Sequence, residues 1–118
     1  LCIRYILKLE GDADDAYLLI VGFGRTYGHL LSTMKVLREK GHKVALAQFK
    51  YINPLPANTA EVLMKYKKVV VAEQNLGQLA TWLRANVDGL VPYQFNQVKG
   101  QPFVVAELVK AFEDILKK

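Results

Sequence analysis

KVVVAEQNLGQLATWLRANV, residues 68–87, decides the architecture. It opens with Val69, Val70, Val71 and Ala72, a run apolar at every position and too short for a helix. It turns polar at Glu73, Gln74 and Asn75 and bends at Gly77. From Leu76 the apolar residues recur at Leu79, Ala80, Leu83 and Val87, the i, i+3, i+4, i+7 spacing of one helix face. A strand apolar on both sides, followed by an amphipathic helix, is the repeating unit of a parallel sheet covered by helices on each face.

Working outward, residues 17–21 form a second apolar strand, which ends in the glycine-rich turn GFGRTYG, residues 22–28. The helix after it shows Tyr27, Leu30, Leu31, Met34 and Leu37 on one side and stops at Gly41, as a glycine just past a helix end commonly does. Residues 43–49 are the next strand, and Pro54 and Pro56 keep the following loop out of regular structure. Asn58 and Glu61 have capping-box spacing and open a short helix through Val62, Leu63 and Tyr66. After the central unit, Asp88 and Gly89 turn the chain into a strand over residues 90–93, whose Pro92 places it at a sheet edge. Residues 96–102 read as a polar loop, and a last helix buries Val105, Leu108, Phe112 and Ile115. At the other end, residues 2–9 alternate well enough for a short strand, and residues 11–15 read as a turn.

A length of 118 residues suits one domain with a real core. No apolar run approaches the ~20 residues of a membrane span, and Arg4 and Lys8 interrupt the N-terminal apolar stretch. That stretch lacks the features of a signal peptide, and the missing initiator Met suggests a piece of a longer chain. One cysteine, Cys2, excludes an internal disulfide and a cysteine-held cluster or structural zinc within the chain, and it fits a reduced, cytoplasmic setting. The net charge of +5 does not signal nucleic acid. Lys35, Arg38 and Lys40, then Lys65, Lys67 and Lys68, then Lys117 and Lys118, gather near helix ends, where cations complement the helix dipole.

Gly22, Gly24 and Gly28 between strand and helix imitate a dinucleotide fingerprint, but the spacing has one residue too many. The acidic residue expected ~20 positions on is replaced by Gln48, Phe49 and Lys50. A tight strand-to-helix turn is the simpler reading. His29 and His42 stand apart from any carboxylate or cysteine at ligand spacing, and Ser32 and Thr26 lack an identifiable base. Trp82 lies off the apolar face of its helix, at a half-buried flank. No nucleophile–base pair, metal cluster or carboxylate pair emerges, which points to a binding or assembly domain.

Three segments together, VGFGRTYG (residues 21–28), YINPLPAN (51–58) with VVVAEQNLGQLATWLRA after it, and NQVKGQPF (96–103), resemble the C-terminal domain of the alpha subunit of 2-oxoacid:ferredoxin oxidoreductases, nearest the 2-oxoglutarate branch. The likeness covers about residues 17–110, with Phe23 and Arg25 standing where that family usually has Trp and Ser. It implies a transketolase C-terminal-like, three-layer αβα fold for residues 1–118. The sheet would be five-stranded and mostly parallel, in the order 1-3-2-4-5 with strand 1 antiparallel. It also implies a parent enzyme that oxidatively decarboxylates a 2-oxoacid to an acyl-CoA and passes electrons to ferredoxin. That enzyme would use thiamine diphosphate, magnesium, an iron–sulfur cluster and coenzyme A, held outside this domain.

The expected role is non-catalytic assembly with the remaining alpha-subunit domains and the beta subunit, without nucleic acid or membrane. The rivals are a stand-alone phosphate- or nucleotide-binding module and the matching domain of another thiamine-dependent enzyme. In the implied strand order a crevice opens where the chain reverses direction, between the strands ending near residues 21 and 72. The turns flanking it make Phe23, Arg25, Gln74 and Asn75 the candidate partner contacts, beside helix N-termini suited to an anion or a partner's acidic group; the alternative is that Asn75 only caps its helix and Glu73 pairs locally.

Overall fold

Alternation along three central strands builds the molecule. The computed structural model describes residues 9–12, 14–23, 26–49, 58–73, 78–96 and 103–117. Its elements are β1 (Leu9–Gly11), β2 (Leu18–Phe23), α1 (Tyr27–Glu39), β3 (Val44–Phe49), α2 (Thr59–Lys65), β4 (Lys68–Glu73), α3 (Gln78–Asn86), β5 (Tyr93–Asn96) and α4 (Val105–Leu116). Leu18 and Ile20 of β2, Val44 and Leu46 of β3, and Val70 and Ala72 of β4 pack into one layer with α1 and α4. Leu19, Val21, Ala45, Ala47, Val69 and Val71 face the opposite layer, made by α2 and α3. Both faces of each strand are thus buried, which is why these segments carry no polar alternation.

The sheet runs β1-β3-β2-β4-β5. β2 is parallel to β3 and β4, β4 is parallel to β5, and β1 is antiparallel to β3 with Leu9 opposite Ala47. The expected three-layer fold, its strand order and its one antiparallel edge are therefore present.

Local departures have local causes. The first strand is seen at Leu9–Gly11, so Gly11 belongs to the ladder rather than to the turn; residues 2–8 lie outside the described residues. The fifth strand starts after Pro92 and reaches Asn96, because pairing with Val70–Glu73 sets its limits. Val91, expected in that strand, is 85% exposed. The capping box is absent: Asn58 makes no side-chain cap bond, its φ of −98° and ψ of 14° lying outside the extended region from which such a side chain reaches the first turn. Both proline-bearing loop residues, and most of the polar loop before α4, fall outside the described residues.

On α1, Leu30, Met34 and Leu37 are buried as expected, while Tyr27 is exposed and Leu31 only partly covered. Thr33 takes a core place instead; its Oγ1 donates to the His29 carbonyl at 2.8 Å, which satisfies the hydroxyl within the helix. Gly41 follows α1 with φ of +91°, a conformation glycine adopts without strain. On α4, Leu108, Val109, Phe112 and Ile115 are buried, and Val105 packs at the margin.

The cations are largely engaged. Arg38 Nε and Nη2 donate to Asp12, Lys40 Nζ to Glu113 Oε1 and Lys43 Nζ to Asp15. Lys68 Nζ, from the start of β4, donates to the Ile115 carbonyl at 2.7 Å and the Leu116 carbonyl at 3.4 Å. It serves the C-terminus of α4 from another element, while Arg38 and Lys65 stand in the last turns of their own helices, α1 and α2, so the helix-dipole reading holds both along the chain and across it. His42, which lacks a carboxylate nearby in sequence, has its Nε2 3.1 Å from Glu113 Oε2. Lys40 and then His42 hold the Glu113 carboxyl below the usual glutamate range. No helix among the described residues is long and apolar enough to cross a membrane.

Candidate subunit-contact crevice

The crevice follows from strand order. From β2 the chain passes through α1 to β3 on one side, then through α2 to β4 on the other. α1 and α2 consequently lie on opposite faces, and the carboxyl ends of β2 and β4 diverge side by side at the switch point.

The two strand ends differ. β2 finishes in Phe23, 38% exposed after five buried residues. β4 finishes in Glu73, only 4% exposed. Arg25, Gln74 and Asn75 lie outside the described residues, so of the four candidate contacts only Phe23 is placed. Tyr27 is exposed at the start of α1 on the same β2–α1 connection. Its hydroxyl interacts with Glu10 of β1, which raises the tyrosine above its ordinary value.

Glu73 is the residue that sequence reasoning underrated. Its Oε1 accepts the Leu79 N–H at 2.5 Å and its Oε2 accepts the Ala80 N–H at 2.9 Å. The carboxylate therefore satisfies first-turn donors of α3 from the last position of the preceding strand, six and seven residues upstream. The available signal was a lone acidic residue closing an otherwise apolar strand just before a helix.

The expectation that both flanking helix N-termini stand open to an anion is accordingly corrected at α3, whose amides the chain's own carboxylate holds. At α1 no side-chain cap bond forms: Thr26 Oγ1 instead donates to the Phe23 carbonyl at 3.3 Å, and the first turn carries no acidic residue.

Gly22 is explained by packing. A Cβ there would collide with Leu30 Cδ1 and lie 2.7 Å from Gln48 Oε1 and 2.9 Å from Thr26 Oγ1. The missing side chain lets α1 seat directly on the end of β2. At Gly28 an added Cβ meets nothing within 4 Å. Trp82 is 37% exposed at the flank of α3, as its spacing implies. His29 is exposed. Among the described residues no three His, Cys, Asp or Glu side chains gather to hold a metal.

Comparison with known proteins gives this arrangement a family. Residues 16–108 match the model of the pyruvate:ferredoxin oxidoreductase core domain II. The chain belongs to this family. As a member it shares 44% identity over 103 residues with the 2-oxoglutarate oxidoreductase subunit KorA of Mycobacterium tuberculosis, covering 86% of this chain and 16% of that protein. The 2-oxoglutarate:ferredoxin oxidoreductase of Magnetococcus marinus, solved with 2-oxoglutarate, coenzyme A and succinyl-CoA bound, superimposes with a TM-score of 0.84 at 29% identity, over 92% of this chain and 19% of that one. A split-gene transketolase, an inactive tetramer, shares the fold at 18% identity and a TM-score of 0.70, over 93% of this chain and 41% of that one. The core domain II chain thus spans about a sixth of the curated relative and a fifth of the solved oxidoreductase.

Proposed function

We propose that this core domain II is a non-catalytic assembly unit in the alpha subunit of a 2-oxoglutarate:ferredoxin oxidoreductase. The parent enzyme would oxidatively decarboxylate the 2-oxoacid to its acyl-CoA and reduce ferredoxin, in a cytoplasmic setting. Its partners would be the remaining alpha-subunit domains and the beta subunit. The observation that carries the assembly role is the crevice itself, whose α3 end is closed by Glu73 and whose β2 end presents an exposed aromatic ring.

The parent's thiamine diphosphate, magnesium, iron–sulfur cluster and coenzyme A would be held outside this domain. A cluster of the usual kind needs about four thiolates, and the sequence has one cysteine. The carboxylate on α3 is the wrong charge to receive a diphosphate. The same carboxylate, with the packing role of Gly22, weighs against a stand-alone phosphate-binding module.

Phe23, Arg25, Gln74 and Asn75 are the proposed partner contacts. Arg25→Glu should leave the melting temperature of the chain nearly unchanged and weaken assembly of the intact alpha subunit with the beta subunit. Size-exclusion chromatography of the two subunits tests this, and assembly equal to the parent's would remove this surface as the interface.

A further inference from the structure

The chain has two methionines, and the fold treats them differently. Met34, on the inner side of α1, is 3% exposed, and a Cβ added at Gly11 would stand only 2.7 Å from its Sδ. Met64, in the last turn of α2, is 50% exposed. It borders a cavity of about 190 Å³ with Leu63, Tyr66, Val69, Leu90 and Val91. Its Cε lies 3.6 Å from the place a Cβ at Gly89 would take. Gly89, with φ of +80°, follows Asp88 in the turn between α3 and β5. The Met64 thioether therefore reaches from α2 to the turn that leads into the edge strand.

A thioether needs no ionisation to react with a peroxide, so access decides which of the two sulfurs is oxidised. The sulfur lone pair takes one peroxide oxygen: an S–O bond forms, the O–O bond breaks and water leaves. Sulfur gives up two electrons and the peroxide accepts them. The sulfoxide is polar, and the apolar lining of Leu63, Val69 and Leu90 disfavours it, while solvent is open to the same side chain.

We propose that Met64 is a peroxide-sensitive modification site, whose sulfoxide turns outward and releases α2 from the Asp88–Gly89 turn. Reduction of the sulfoxide restores the contact.

The test treats the full-length alpha subunit, alone and assembled with the beta subunit, with hydrogen peroxide. Peptide mass spectrometry follows oxygen gained at each methionine. The expected result is oxidation of Met64 about ten-fold faster than of Met34 in both forms. Hydrogen exchange then reads the turn: residues 86–92 should lose protection in the oxidised parent and regain it after treatment with methionine sulfoxide reductase. Met64→Leu, which keeps the apolar volume without the sulfur, should keep that protection under peroxide. Equal oxidation of the two methionines, or shielding of Met64 in either form, overturns the site. Unchanged protection in the oxidised parent overturns the release, as does the same loss in Met64→Leu.

Discussion

Two glycines of one turn should respond to alanine with opposite signs. At Gly22 the new methyl meets three side-chain atoms, and two of their residues, Leu30 and Thr26, are at most 5% exposed and cannot swing into solvent. Carbon atoms pack comfortably at roughly 3.5–4.0 Å, so α1 must lift or its side chains must leave their rotamers. Overpacking of this kind costs about 1–3 kcal/mol. Against it stands the reduced freedom of the unfolded chain, worth about 0.4–1 kcal/mol in favour of alanine. The clash wins, leaving a net loss of about 1–2 kcal/mol. Gly28 lies in the first turn of α1 with open space around it, so only the favourable part applies and Gly28→Ala should gain about 0.5 kcal/mol. Urea unfolding of the two variants reads the difference directly. At a typical slope of about 1–3 kcal/mol/M the midpoints should separate by roughly 1 M with unchanged slopes. A Gly22→Ala midpoint at or above the parent's would show that α1 does not need the missing Cβ. A glycine reserved for a bound phosphate gives no such split in ligand-free protein.

Leu83 and Leu79 of α3 are 0% and 5% exposed against the β4 face, so truncating either to Ala should lower stability by about 2–5 kcal/mol in chemical denaturation. A change below about 0.5 kcal/mol at both sites, the range of surface substitutions, would refute that packing. Glu113 has its carboxyl depressed by Lys40 and His42, so its contribution to stability is complete above the unfolded glutamate range, near about 4.3, and drains away as the pH falls through the lower folded value. Glu113→Gln should therefore flatten the acid limb of a stability–pH curve while Lys40 and His42 lose their partner; an acid limb identical to the parent's would show that the ion pairs at α4 carry no linkage.

The sheet and its helices were legible because their signals are local. Val69 to Ala72 are apolar at successive positions since alternate residues feed two different layers. What the sequence hid depends on partners far along the chain. The limits of β5 are set by pairing with β4, so apolar Val91 was drawn into the strand and polar Gln94 and Asn96 were underweighted. Asn58 has the residue type of a cap but not the backbone angles, and those angles follow from how α2 is seated. His42 meets Glu113 across 71 residues, beyond any motif. At the crevice, Phe23 was placed by the resemblance and by its position at a strand end. Local pairing of Glu73 was open as an alternative, but not its partners, because the amides it accepts from belong to the next element.

The first strand of the sheet is also its shortest stake. Among the described residues three pairs hold Leu9–Gly11 to β3; immediately after them Asp12 donates its backbone N–H to the Val44 carbonyl, and its carboxylate accepts from the Val44 N–H and the Arg38 guanidinium. Load carried along β1 reaches Asp12 before it reaches the central strands. At Asp12 the load spreads at once to the start of β3 and the last turn of α1. A displacement carried along β1 would therefore be shared between β3 and α1 before it could reach the crevice.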